Sequence, residues 1–168
     1  MTAESRRIAV LAAISSAQLP VSATVLAKQF GVSRQVIVGD VALLRAAGAN
    51  ISATPRGYMI RQQSTGFIRQ VATRHSAAEM EAELNIMVDQ GCTVLDVVVE
   101  HPIYGQLTGQ LQLSIRYDVQ QFVIRSAQAH PLSLLTEGIH LHTLPCPSED
   151  AYKRVCDALQ AAGLLLET

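Results

Sequence analysis

Long apolar runs are missing from this 168-residue chain. Its most apolar stretches, residues 94–99 and 164–166, fall far short of the roughly 20 residues needed to cross a bilayer. The N-terminus has no basic region leading into an apolar core and a cleavage site. A soluble, cytoplasmic protein is expected, without a membrane partner. Disulfide chemistry is equally thin. The three cysteines, Cys92, Cys146 and Cys156, form no CxxC pair and leave an odd thiol, which argues against a disulfide scaffold and for reduced residues. Internal repeats and low-complexity tracts are absent too, removing solenoids from consideration. With 49 % hydrophobic and 16 % charged residues the chain is globular, and its length suits one domain or two small ones.

The net charge of −1 conceals a division. Residues 1–63 carry seven basic side chains against two acidic ones, a charge of +5; residues 64–168 carry six against twelve, or −6. Such a split suits a nucleic-acid-binding module joined to one that does not bind nucleic acid. The basic part predicts three helices. Ser5 is expected to cap the first, with Ile8, Leu11, Ala12 and Ile14 as its apolar stripe and Ser15-Ser16 at its end. A second helix follows Ser22 and runs through Leu26, Ala27 and Phe30 to a turn at Gly31. Ser33 caps a third, which places Ile37, Val41 and Leu44 on one face and closes at Gly48. Two helices joined by a short glycine turn make a helix-turn-helix, whose second helix enters the major groove of double-stranded DNA. Ser33, Arg34, Gln35 and Val38 are therefore candidates for base contact, since Arg and Gln carry donor patterns suited to guanine and adenine edges. Arg45 is a candidate for phosphate. Residues 51–60 read as a β-hairpin wing with Arg56 at its tip. Gly39 is at odds with its place inside the third helix, where glycine costs about 1 kcal/mol relative to alanine.

The polar stretch 62–66 marks a boundary between a DNA-binding domain at 1–63 and a regulatory domain at 64–168. In the second segment, strands are expected over 67–73, 93–100, 105–113 and 139–144. Helices are expected over 77–89, 116–129 (capped by Ser114) and 149–162 (after Ser148), and residues 164–166 could close the sheet. This mixture predicts a two-layer α/β domain with its helices on one face, and an α+β class for the whole chain.

All five histidines lie in this second segment. His140 and His142 alternate along a strand, so both rings point to one side, with Ile139, Leu141 and Thr143 on the other. That is half of a metal site. His75 and the acidic residues Glu79, Glu81 and Glu83 are the nearest further ligands. Imidazoles with a carboxylate suit Zn, Ni, Fe or Co better than Mg or Ca. On one unbroken helix His75 and Glu83 would stand about 12 Å apart, so they can share an ion only if His75 precedes the helix. The spacing does not select among the three acids. Surface histidines beside a solvated acidic helix face are the alternative. His101 ends a strand at a loop, a common position for a binding group; His130, before Pro131, reads as structural or exposed.

The motifs Leu26-Ala27, Gly31-Val32-Ser33-Arg34, Arg74-His75, Val99-Glu100-His101-Pro102-Ile103-Tyr104-Gly105, Pro131-Leu132-Ser133 and Gly138-Ile139-His140-Leu141-His142-Thr143 together resemble the niacin-responsive 3H-domain transcriptional repressors across nearly the whole chain. The resemblance implies a biotin-repressor-like winged helix-turn-helix followed by an HPr-like α/β domain. It also implies a divalent transition metal (Zn, Ni or Fe) at His75, Glu83, His140 and His142. Nicotinic acid would be the co-repressor, with His101 or Tyr104 contacting its far end, and NAD-precursor salvage or uptake genes would be the targets of a homodimer. Gly39 departs from the longer polar residue expected there, which bears on operator preference. Two other readings stand beside this one. A regulator could answer to bare metal or another small carboxylate, and a metal-dependent hydrolase could activate water at the same residues. No motif supplies a hydrolase with a further acid or base, so a non-enzyme is expected.

Overall fold

The computed structural model describes residues 1–60 and 66–166. Arg61 and most of the expected boundary stretch lie outside those residues. Contacts divide the chain into two compact units, Met1–Gln63 and Ser64–Thr168.

The first unit holds α1 (Ala3–Ser16), α2 (Ala23–Phe30), α3 (Arg34–Ala46) and a hairpin of β1 (Ile51–Thr54) and β2 (Gly57–Ile60). The cap of α1 is Thr2, not Ser5: the Thr2 hydroxyl accepts from the Ser5 amide at 3.1 Å. The buried stripe is also rotated from the expected one. Val10 and Ile14 enter the core while Ile8 is 66 % exposed and Ala12 is exposed. At 100° per residue, a shift of two positions carries a side chain to the opposite side of the helix. Around Val10 and Ile14 pack Leu26, Ala27, Ile37, Val41 and Ile51, so one core ties all three helices to the hairpin. Beside it, Arg6 of α1 grips Asp40 of α3 through two hydrogen bonds, Nε to Oδ2 at 2.6 Å and Nη2 to Oδ1 at 3.2 Å. The hairpin docks on the segment before α2 through paired backbone bonds between Val21 and Tyr58, both 2.8 Å. A Cβ on Gly57 would stand 2.5 Å from the Val21 carbonyl, so only glycine allows that approach.

The second unit contains β3 (Phe67–Arg74), α4 (Met80–Asp89), β4 (Val94–His101), β5 (Gly105–Leu113), α5 (Arg116–Ser126), β6 (Ile139–Cys146) and α6 (Glu149–Ala161). The strands form one antiparallel sheet in the order β3-β6-β4-β5, which places the last strand between the first two. Period-two alternation puts Val71, Leu144, Cys146, Leu111 and Leu113 on the side that α4, α5 and α6 cover with Leu84, Met87, Val119, Val155 and Leu159. Past α6, Leu165 bridges to Thr73, so the tail pairs with the outer edge of β3. Three local expectations fail. Residues 77–79 form a 3-10 turn before α4, held by reciprocal bonds between Ser76 and Glu79. Ser114 does not cap α5: its hydroxyl bonds Thr93, and its amide donates to Asp118 at 3.0 Å. That helix ends at Ser126, three residues early.

Candidate metal centre and nucleic-acid interface

Four side chains meet between the sheet and α4. The register of β3 with β6 sets Thr73 opposite His140 and Val71 opposite His142, and the alternation of β6 aims both imidazoles at the helix layer. His75 lies in the connection after β3, before α4 begins at Met80, which satisfies the condition that it precede the helix. Glu83, in the first turn of α4, faces back toward the sheet. Gly138 permits the convergence: its φ is +89°, and a Cβ there would stand 2.3 Å from the His75 carbonyl oxygen.

Each imidazole is held by a backbone carbonyl. Nδ1 of His75 donates to Ser76 O at 2.6 Å, that of His140 to Gly138 O at 2.8 Å, and that of His142 to Asp96 O at 2.6 Å. A carbonyl can only accept, so all three Nδ1 atoms carry protons, and each neutral ring presents a lone pair at Nε2. Those lone pairs converge on one carboxylate: Nε2 of His75 is 2.5 Å from Glu83 Oε2, while Nε2 of His140 and His142 are 3.0 and 3.3 Å from Oε1. Lone pairs so crowded repel unless a cation lies among them, either protons on the rings or a metal ion. Without a metal, His75 is drawn toward its protonated form. Burial works to lower the His75 pKa, but the hydrogen bond and charge of Glu83 outweigh it and raise the value. Burial likewise works to raise that of Glu83, yet the charge of His142 and the hydrogen bonds from His140 and His75 hold it well below the usual carboxylate range.

The residues fit a divalent transition ion. Candidate ligand atoms of His75, Glu83 and His140 all lie within 4.8 Å of one another, and Nε2 of His142, buried beside them, has no hydrogen-bond partner among the described residues. Three imidazoles and one carboxylate are the donor set such ions prefer, and fixing Nδ1 on carbonyls is how proteins orient ligating histidines. Glu79, which the spacing left open, is engaged with Ser76 instead. Glu81 is exposed on α4.

In the first unit the helix-turn-helix has the expected local chemistry. Ser22 Oγ accepts from Val25 N and Ser33 Oγ from Val36 N, both at 3.2 Å, and Gly31 takes the left-handed turn at φ +65°. Ser33, Arg34, Gln35 and Arg45 are exposed along α3.

Residues 68–168 match the 3H domain and residues 6–59 match an HTH domain. Over 150 residues, 88 % of this chain and 86 % of the relative, the sequence is 43 % identical to a probable transcription repressor NiaR of Thermotoga maritima. Over 168 residues, 96 % of this chain and 93 % of the relative, it is 42 % identical to the transcription repressor NadR of Bacillus subtilis. The chain belongs to the 3H-domain transcription repressors. It is a DNA-binding repressor and not an enzyme.

Within this 3H-domain repressor the other sequence-derived residues fall in several places. Val38 is half-buried and packs on the core of the first unit, which is a poor position for base contact; Val36, 38 % exposed, and Gly39, with open space where a Cβ would be, stand on the solvent side instead. Arg56 lies at the hairpin turn but is half-buried and lines a recess with Ala17, Leu19 and Val25. His101 Nδ1 accepts from the amides of Ile103 and Tyr104, both at 3.2 Å, so this ring closes the β4–β5 turn. Tyr104 stacks obliquely on it and is 72 % exposed. Neither makes a hydrogen bond to the cluster. Thr73 does, and no sequence signal marked it, because a lone threonine in a strand has no signature until the register places it opposite His140. Among the described residues no helix is long and apolar enough to cross a membrane.

Proposed function

We propose that this repressor binds operator DNA as a homodimer under the control of a divalent transition metal held by His75, Glu83, His140 and His142, with nicotinic acid as co-repressor and NAD-precursor salvage or uptake genes as targets. One observation carries the metal: three Nε2 lone pairs, fixed by committed Nδ1 protons, surround a single buried carboxylate. When bound, the ion supplies a Lewis-acid position for a carboxylate or a pyridine nitrogen, and nicotinate has both. Arg34 and Gln35, exposed at the start of α3, supply the donors that read base edges, and Arg45, exposed in its last turn, meets phosphate. For a strong switch, nicotinate must favour the DNA-competent arrangement by several kcal/mol.

Calorimetry of nicotinate binding to metal-loaded and chelator-treated protein tests this reading. Binding is expected only, or far more tightly, with metal; equal affinity in both would rule out metal-assisted recognition. A second reading has one observation in its favour. All four ligands are buried, Glu83 to 1 % exposure, which suits a metal whose coordination the protein completes and a regulator that answers to the ion itself. In that case operator affinity rises with metal alone, and nicotinate adds nothing.

A further inference from the structure

Thr73 is fully buried, at 0 % exposure, on the edge strand of the sheet, between its register partner His140 and the tail residue Leu165. Its hydroxyl lies 2.5 Å from Glu83 Oε1 and 3.0 Å from His140 Nε2. A hydroxyl has one proton to give. With His140 Nδ1 donating to the Gly138 carbonyl, a neutral His140 offers Nε2 only as an acceptor, so two acceptors compete for that proton. The carboxylate is charged and closer, and charge-assisted bonds are the stronger kind, so the proton goes to Glu83. Among the described residues the other Glu83 oxygen has no hydroxyl partner of this kind and meets His75.

We propose that Thr73 is a positioning residue of the metal centre. Its hydroxyl fixes the rotation of the Glu83 carboxylate and, by donating its one hydrogen bond to Glu83 Oε1, leaves the lone pair of His140 Nε2 to the ion. This inference rests on the metal reading above. Valine has nearly the shape of threonine and cannot donate, whereas serine keeps the donor and loses the methyl group, so the two substitutions separate chemistry from packing.

The test is the metal dissociation constant of the full chain for Ni and Zn, measured by competition with a chromophoric chelator at fixed pH, with circular dichroism confirming the fold of each variant. Loss of a partner that orients a ligand lowers metal affinity about 10–100-fold. Thr73→Val is expected to weaken binding by that factor, and Thr73→Ser to stay within about threefold of the parent on the same scale. In a Glu83→Gln background Thr73→Val should have little further effect, because the residue acts through the carboxylate. Should Thr73→Val not fold, Thr73→Ala replaces it in the same comparison. Parental affinity in Thr73→Val, equal loss in Thr73→Ser, or full additivity with Glu83→Gln would each overturn the role of Thr73 and leave the metal centre standing. A parent chain that takes up neither ion would overturn both.

Discussion

Glu83 is a buried anion whose counter-charge depends on pH, and this sets how proton and metal compete. Its pKa is held well below the usual range, so its stabilising interactions are in place above ordinary carboxylate values and are lost only as pH falls through the lowered value. His75 works in the opposite sense. Its pKa is raised above the ordinary 6.5, so in metal-free protein its contribution is fully present below 6.5 and disappears as pH rises through the raised value. A metal ion needs the same Nε2 lone pair unprotonated. The gain in melting temperature on adding Ni or Zn should therefore be small at pH 6 and grow steadily to pH 8, while chelator-treated protein loses stability over the same interval. Paired thermal melts at several pH values check this, and a metal-induced gain that shrinks with pH would contradict the proton–metal competition. At the same scale, the half-buried Val38 shows a limit of reading residues one by one. The sequence puts it near the start of α3 beside Arg34 and Gln35, yet the helix turns it toward the core, and Val36 is the apolar side chain left facing solvent.

Elements bring these residues together, and Gly138 is where two of them cross. It precedes β6, its carbonyl orients His140, and its α-carbon passes the His75 backbone with no room for a side chain. Gly138→Ala adds a left-handed conformation that is unfavourable for alanine, which costs about 1–3 kcal/mol, to a collision with backbone that cannot move independently. The expected outcome is a lower melting temperature with chelator present, and a further loss of metal affinity, because His75 and His140 are displaced on opposite sides of the same contact. Thermal melts with and without metal separate the two effects; an unchanged melt with chelator would show that the strand entry yields to a side chain at Gly138. Most elements were legible from the sequence because their signals are local. Ser22, Gly31, Ser33 and Ser148 mark helix ends, and the alternation of His140 with His142 fixes a shared face. What was not legible depends on phase or register. Either Ile8 or Val10 could begin an apolar stripe in α1, and only packing against α2 and α3 selects Val10. Thr73 and Asp96 join the cluster and its support through strand pairing, and His101 is drawn into its own turn by two amides that any loop could have offered elsewhere.

For the whole molecule the uneven charge favours a basic reader and an acidic sensor, and the Arg6–Asp40 pair, already cancelled in the +5, leaves that excess to the other basic side chains. If the sensor governs the reader, the coupling between them must be mutual. An effector that tightens operator binding by a given factor has its own binding tightened by operator DNA by the same factor, because both routes join the same end states. A hundredfold effect corresponds to roughly 2.7 kcal/mol in either direction. Nicotinate affinity measured by calorimetry with and without a duplex selected from a random library should therefore differ by the factor by which nicotinate changes the affinity for that duplex. His142→Ala removes a proposed metal ligand on the helix-facing side of β6, far along the chain from α3, so it is expected to abolish both enhancements together while weak, salt-sensitive DNA binding persists through Arg34 and Arg45. Because the two enhancements are one coupling free energy they must vanish together, and their joint persistence in His142→Ala would show that His142 is no part of the switch.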